Sequence, residues 1–215
     1  MNKVLFWDFD GTLVYSISIW SKFLYAGFNN SEIDFEEMRL FFRKGYSWNT
    51  PEISYTDQTG QVWWDKLFAH MYLFCESHNI SKKDAEKAFR YLREQVLDFN
   101  NYTLYEDAIP TLRECLEMGY KNYVISNNFP ELPSVIKDLG IGEYFTDYIV
   151  SANVGYEKPR IEIFQYALKI AGYPEDCYMI GDNPIADIQG AEAAGLKTIL
   201  VHGIELSEIP QILRS

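Results

Sequence analysis

Residues 3–12 read KVLFWDFDGT, a short apolar run that stops at two acidic residues, a glycine and a threonine. A continuous apolar run of this length is typical of a strand that is buried on both faces of a parallel sheet. Ligands bind such sheets just beyond the carboxyl ends of the strands. The stretch therefore predicts a first buried strand over Lys3–Trp7 and an acidic site directly after it.

Four more apolar runs in the second half of the chain predict further strands, at 120–125, 148–150, 178–180 and 198–201. Segments with helical spacing of apolar residues separate them, at 107–118, 132–139, 161–171 and 186–194. Strands that alternate with helices predict an α/β fold with a doubly wound, mostly parallel sheet that helices cover on both faces.

The segment 15–102 breaks this alternation. It contains one helical pattern over 62–78 and a second that starts at Ser81, where Ser81 and Asp84 resemble a capping box. It shows no strand pattern of comparable quality, and Trp20, Trp48, Trp63 and Trp64 all fall within it. We therefore expect a helical insert at 15–102 between two segments of the α/β core, 1–14 and 103–215.

The composition limits the class of partner. With 215 residues and a formal charge of −12, the chain is a poor match for a nucleic-acid polymer or an anionic membrane. An anionic substrate would need locally placed cations or a metal ion. The three cysteines are scattered, which favours free thiols in a reducing compartment, and the N-terminal apolar run is too short for a signal segment or a membrane span. We expect a cytoplasmic protein that does not bind membranes.

The first acidic pair, Asp8 and Asp10, points to phosphoryl chemistry. Two carboxylates this close raise each other's pKa unless a cation lies between them, and Mg²⁺ is the natural cation for carboxylate oxygens. One carboxylate can then attack phosphorus while the other protonates the leaving oxygen and later activates water. The plainer interpretation is a tight turn after a strand, since aspartate and glycine both favour turns.

Two further motifs follow predicted strands or precede helices. Ser126-Asn127-Asn128 offers a hydroxyl and amides that can hold phosphoryl oxygens, although the same triplet is common in ordinary loops. Lys158-Pro159 places a cation just before a helix, where it can neutralise phosphoryl charge. A solvated lysine beside a helix-starting proline is the alternative.

The last motif, Gly181-Asp182-Asn183-Pro184-Ile185-Ala186-Asp187, again follows an apolar run. Asp182 can supply a further oxygen ligand to Mg²⁺, and Asp187 can orient a metal-bound ligand. The alternative is that either aspartate caps the following helix, because aspartate is a preferred N-cap residue.

Taken together, the motifs resemble those of the haloacid dehalogenase (HAD)-like hydrolase superfamily, in its phosphatase branch with a helical cap of the first type. The resemblance covers nearly the whole chain and rests on four motifs in order: Asp8-x-Asp10-Gly11-Thr12, Ser126-Asn127, Lys158-Pro159 and Gly181-Asp182-x-x-x-x-Asp187. It implies a Rossmann-like core and assigns the insert 15–102 to the cap.

The resemblance also implies roles for the motif residues. Asp8 is the nucleophile and a metal ligand, while Asp10 is the acid/base and binds Mg²⁺ through its backbone carbonyl. Asp182 completes the protein ligands of the metal.

For the remaining positions the resemblance implies supporting roles. Ser126 and Asn127 hold the phosphoryl group, and Lys158 steadies the charge of the reaction. Thr12 and Asp187 act indirectly, by positioning the groups that contact the substrate or the metal. The implied substrate is a small phosphorylated metabolite such as a sugar phosphate or a nucleotide.

Several alternatives stay open at this point. A phosphomutase acting on a sugar phosphate would use the same core, and a non-catalytic phosphate-binding or regulatory protein would keep the motifs without turnover. Dehalogenases of the superfamily lack an acid at the second motif position, so Asp10 disfavours them. In the insert, Arg39, Arg43 and Lys44 precede a candidate specificity loop at 45–48, where stacking by Trp48 or hydrogen bonding by Arg43 could select the leaving group, but solvated charges beside an aromatic core are the favoured interpretation.

Overall fold

A parallel sheet of five strands forms the centre of the protein. The computed structural model describes residues 2–15, 19–29 and 32–215; residues 1, 16–18 and 30–31 of the predicted core and insert lie outside that description. The strand order is β3-β2-β1-β4-β5, and the strands are β1 Lys3–Trp7, β2 Tyr120–Ser126, β3 Phe145–Val150, β4 Asp176–Gly181 and β5 Lys197–Leu200. The predicted parallel α/β sheet is confirmed.

The register of the central strands brings their carboxyl ends to one edge. Trp7, the last residue of β1, pairs with Val124 of β2 on one side and with Ile180 of β4 on the other. The residues that follow these three positions therefore emerge side by side. β3 begins earlier than predicted, because Thr146 and Asp147 are exposed and carry no apolar signal.

Both faces of the sheet are covered. Leu5 and Trp7 belong to one apolar cluster, while Val4 and Phe6, which point the opposite way, belong to another. The helices that follow in the core are α5 Ala108–Glu117, α6 Leu132–Asp138, α7 Ser151–Val154, α8 Ile161–Ile170, α9 Gly190–Ala193 and α10 Ile209–Ile212. This two-sided packing is the doubly wound arrangement that the sequence predicts.

Four helices occupy the segment between β1 and the rest of the core: α1 Ile19–Phe28, α2 Phe35–Lys44, α3 Gln61–Ser77 and α4 Lys82–Leu97. Asp34 caps α2 by accepting a hydrogen bond from the Glu37 amide at 2.7 Å, and Ser81 caps α4 in the same way. The domain boundaries at 15 and 102 stay a prediction. None of the described helices is both long and apolar enough to cross a bilayer.

Candidate active site

Acidic side chains from two strand ends converge in one cavity. Asp8 follows β1 directly, and Asp182 follows β4 directly. Oxygens of Asp8, Asp182 and Asp187 lie within 4.8 Å of one another. Asp10 lines the same cavity, which has a volume of about 730 Å³ and is also lined by Ser126, Asn127 and Lys158. The fold therefore brings seven of the eight predicted site residues to one place.

Lys158 lies between two carboxylates. Its ammonium donates hydrogen bonds to Asp8 Oδ1 at 2.7 Å, to Asp187 Oδ1 at 2.5 Å and to the carbonyl of Ile125 at 3.0 Å. Burial disfavours the charged amine, but the carboxylates of Asp187 and Asp8 outweigh that effect and raise the pKa of Lys158. The lysine is therefore a fixed cation of the site and not a solvated surface residue.

Asn127 holds the main chain of this lysine in place. Its side-chain amide donates to the Lys158 carbonyl at 2.9 Å, and its side-chain oxygen accepts from the Lys158 amide at 2.7 Å. Both ends of the Asn127 side chain are thus engaged. Ser126 also lines the cavity. The two residues predicted to hold phosphate therefore differ, because Asn127 uses both ends of its side chain to hold the main chain of Lys158.

Asn128 is a site residue that the sequence motifs did not assign. Its side-chain amide donates to Asp10 Oδ2 at 2.6 Å and lies 3.4 Å from the hydroxyl of Ser126. The residue is 3% exposed, so its amide has a fixed orientation. The available signal was its place in the Ser-Asn-Asn triplet, but the chain pattern alone could not show which asparagine reaches Asp10.

A capped turn positions Asp187. The Asn183 side chain accepts hydrogen bonds from the amides of Ile185 and Ala186, each at 3.0 Å, and starts a π-helical turn over Pro184–Gln189. The Asn183 amide in turn donates to Asp187 Oδ2 at 3.0 Å. Because Lys158 already takes the other oxygen, both oxygens of Asp187 have partners.

Gly11 allows the chain to pass close to Asp182. Its φ of +82° belongs to the left-handed region, and a Cβ at this position would collide with the carboxylate of Asp182. The neighbouring Thr12 is fully buried, and its hydroxyl has no hydrogen-bond partner among the described residues. Its predicted supporting role stays a prediction.

The acidic groups carry more charge than Lys158 compensates. Burial raises the pKa of Asp8 to about 7, with Lys158 opposing the rise, and burial raises the pKa of Asp10 to about 6. The pKa of Asp182 is also raised, chiefly by burial. Crowded carboxylates with raised pKa values fit a divalent cation that binds oxygen ligands.

The candidate ligands for such an ion differ in how many of their oxygens already accept hydrogen bonds. Asp8 and Asp182 have oxygens within 4.8 Å of each other, and one oxygen of Asp8 accepts a hydrogen bond from Lys158, whereas both oxygens of Asp187 accept hydrogen bonds already. The Asp10 side chain is held by Asn128, and its backbone carbonyl as a ligand stays a prediction. The residues present thus fit a Mg²⁺ ion held chiefly by Asp8 and Asp182.

The helical segment supplies the opposite wall of the cavity, with Trp20, Ser21, Arg43, Tyr46, Trp48 and Pro51. Trp48 packs against Tyr46 and Trp63 with ring-centroid distances of 4.3 and 6.0 Å. The predicted aromatic core of the insert is therefore present. Arg43 is exposed, as the favoured interpretation expects, and Arg43 and Trp48 both also line the cavity.

Comparisons with known proteins agree with this fold. The family model for haloacid dehalogenase-like hydrolases matches residues 2–195. Human haloacid dehalogenase-like hydrolase domain-containing protein 3 is 31% identical over 149 residues, which cover 67% of this chain and 57% of that protein. A glyceraldehyde 3-phosphate phosphatase from Methanothermobacter thermautotrophicus is 38% identical over 107 residues, covering 48% of this chain and 46% of that enzyme. The chain thus spans about half the length of these two curated relatives.

A solved structure extends the likeness to the whole chain. The putative HAD-hydrolase YfnB from Bacillus subtilis, solved bound to magnesium, superposes with a TM-score of 0.67 at 20% identity, covering 100% of this chain and 99% of that one. This likeness supports the fold alone. On the family match over residues 2–195, the chain belongs to the haloacid dehalogenase-like hydrolases.

Proposed function

We propose that the protein is a Mg²⁺-dependent phosphatase that hydrolyses a small phosphate monoester through an aspartyl-phosphate on Asp8. One observation carries the proposal: a single cavity holds a carboxylate fixed by a buried lysine and a second carboxylate fixed by an amide. These are the nucleophile and the acid/base that the two half-reactions need. The relative named glyceraldehyde 3-phosphate phosphatase supports the same reaction class.

Asp8 and Asp182 would hold the metal ion, with the Asp10 carbonyl as a third protein ligand. When bound, Mg²⁺ neutralises phosphoryl charge and offsets the repulsion between these carboxylates. The proposed setting is cytoplasmic, and the proposed partner is a small phosphorylated metabolite.

In the first half-reaction, an oxygen of Asp8 attacks phosphorus while the bond from phosphorus to the leaving oxygen breaks. Lys158 fixes Asp8 for in-line approach by its contact with Oδ1. Asp10 gives its proton to the leaving oxygen, and the product alcohol departs. The raised pKa of Asp10, about 6, favours this proton donation.

In the second half-reaction, water attacks phosphorus and the bond from phosphorus to Asp8 breaks. Asp10, now ionised, takes the proton of the attacking water and is restored. Asn128 orients Asp10 in both steps by its hydrogen bond to Oδ2. The net reaction converts an ester and water into an alcohol and phosphate. Residues of the helical insert, which we assign to 15–102, line the cavity, and closure of the insert over a substrate would limit the entry of bulk water.

The test is a panel of phosphate monoesters supplied to the purified protein with Mg²⁺ or with a chelator. We expect phosphate release that depends on Mg²⁺ and is lost in Asp8→Asn. Asp138→Asn, an exposed aspartate at the end of α6, is the matched control and should keep full activity. Turnover that survives in Asp8→Asn, or no turnover of any ester with Mg²⁺, would reject the proposal. Phosphate transferred to a second sugar phosphate and not to water would favour the mutase.

A further inference from the structure

The cavity is larger than a phosphoryl group requires. Its volume of about 730 Å³ falls in the range of pockets that enclose whole small-molecule ligands. The carboxylates and Lys158 occupy the wall formed by the core, while Arg43, Trp48 and Tyr46 form part of the wall across from it. A substrate that places its phosphate at Asp8 therefore presents its leaving group to this second wall.

Arg43 is an exposed cation without an ion-pair partner among the described residues. Among the described residues that line the cavity, Arg43 and Lys158 are the two with basic side chains, and Lys158 is already bound to Asp8 and Asp187. The guanidinium of Arg43 forms no ion pair with any described residue. Arg39, one turn earlier on the same helix, is paired with Glu36 at 2.6 Å. An unpaired arginine facing a cavity is notable in a chain with 31 acidic and 19 basic residues.

The wall beside Arg43 is flat and held in place. Tyr46 and Trp48 stack with ring centroids 4.3 Å apart, and Trp20 meets Trp48 edge-on at 6.0 Å. Ser47, between Tyr46 and Trp48 in the chain, is buried, and its hydroxyl accepts a hydrogen bond from the Trp63 indole at 3.1 Å. Arg43 therefore stands next to a rigid aromatic surface that suits the carbon skeleton of a small ester.

Resting on the phosphatase function above, we propose that the preferred substrate is a phosphate monoester whose leaving group carries a second anion, bound by Arg43. A guanidinium binds carboxylate or phosphate through two parallel hydrogen bonds, which are stronger than hydrogen bonds between neutral groups. The second anion is therefore a carboxylate or another phosphate. Neutral sugar or alkyl phosphates would leave Arg43 bound only to water.

The test uses three matched series of linear esters of increasing chain length: phosphorylated hydroxy acids, phosphorylated diols and bisphosphates. At the optimal length we expect kcat/KM for an acid or bisphosphate to exceed that of the diol ester by at least about tenfold. In Arg43→Gln this ratio should fall towards one, mainly through KM. Arg39→Gln, on the same helix, should keep the ratio. Comparing acids with bisphosphates identifies which anion is preferred.

A binding measurement separates this inference from the phosphatase proposal. Non-hydrolysable phosphonate analogues of the acids and diols are titrated by calorimetry into the wild type and Arg43→Gln. We expect the wild type to bind the acid analogue at least about tenfold more tightly than the diol analogue, and the variant to lose that preference. No preference at any chain length, or a preference that survives in Arg43→Gln, overturns the inference. Selective binding without turnover would reject only the phosphatase proposal.

Discussion

The hydroxyl of Ser47 donates a hydrogen bond to Glu157 Oε1, which joins the helical insert to the residue next to Lys158. Glu157 is 1% exposed, and its other oxygen has no hydrogen-bond partner among the described residues. In the chain, Ser47 lies between Tyr46 and Trp48, which both line the cavity. The contact therefore couples the position of the aromatic wall to the core of the active site.

Substitution of Glu157 tests this coupling. In Glu157→Ala the Ser47 hydroxyl loses its acceptor, so we expect the aromatic wall to shift and KM to rise several-fold, while kcat changes less. Glu157→Gln keeps an acceptor oxygen and should restore KM to near the wild-type value. Steady-state kinetics on one good ester separates the two parameters. Equal loss of kcat in both variants, with KM unchanged, would contradict a positioning role.

Asn128 should matter most when the leaving group needs a proton. Asn128→Ala removes the hydrogen bond that orients Asp10, so we expect kcat for alkyl phosphates to fall by about tenfold or more. For p-nitrophenyl phosphate, whose leaving group departs without protonation, the first step should be affected much less. Asn100→Ala, at an exposed asparagine, is the control. A loss of the same size in kcat/KM, which reports the first half-reaction, for both kinds of ester would argue against action through Asp10.

Gly11 offers a test of the acidic site by sterics. Gly11→Ala combines backbone strain of about 1 kcal/mol with a collision against the Asp182 carboxylate. Gly195→Ala carries the same strain, since φ is +85°, but its Cβ would meet open space. We expect Gly11→Ala to lose at least as much stability as Gly195→Ala, and only Gly11→Ala should need more Mg²⁺ and lose activity by at least about tenfold. Measured Mg²⁺ titrations that match in the two variants would contradict the assignment of Asp182.

Much of the core could be predicted from the chain alone. The apolar runs predicted all five strands within a few residues, because every strand contains a run of apolar residues, and the exposed start of β3 was the part that was missed. The motif residues at strand ends could be placed together because parallel strands end at one edge. Helices α1 and α2 were not predicted separately. For α2 the capping aspartate, Asp34, and the acidic first turn were available as a signal.

The rest of the site depends on tertiary contacts. Nothing in the local sequence indicates that Asn128 reaches Asp10, which lies 118 residues away, or that Ser47 reaches Glu157, 110 residues away. The same holds for Arg43, which is exposed, as expected for a helix C-terminus, and which also lines the cavity. Its position at the cavity follows from how the insert packs on the core, and helical periodicity does not specify that packing.

The most direct test of the account is to capture the phosphoryl group on Asp8. Asp10→Asn should slow the second half-reaction, because water then has no base, while p-nitrophenyl phosphate still phosphorylates Asp8 without an acid. The measurement is a rapid-quench reaction with Mg²⁺ and the ester in excess over the protein, stopped in acid, digested and analysed by mass spectrometry. We predict a burst of p-nitrophenol stoichiometric with the protein, and one phosphoryl group on the peptide containing Asp8, removed by hydroxylamine. Turnover with no burst and no phosphoryl group on Asp8, or with the group on another residue, would contradict the account.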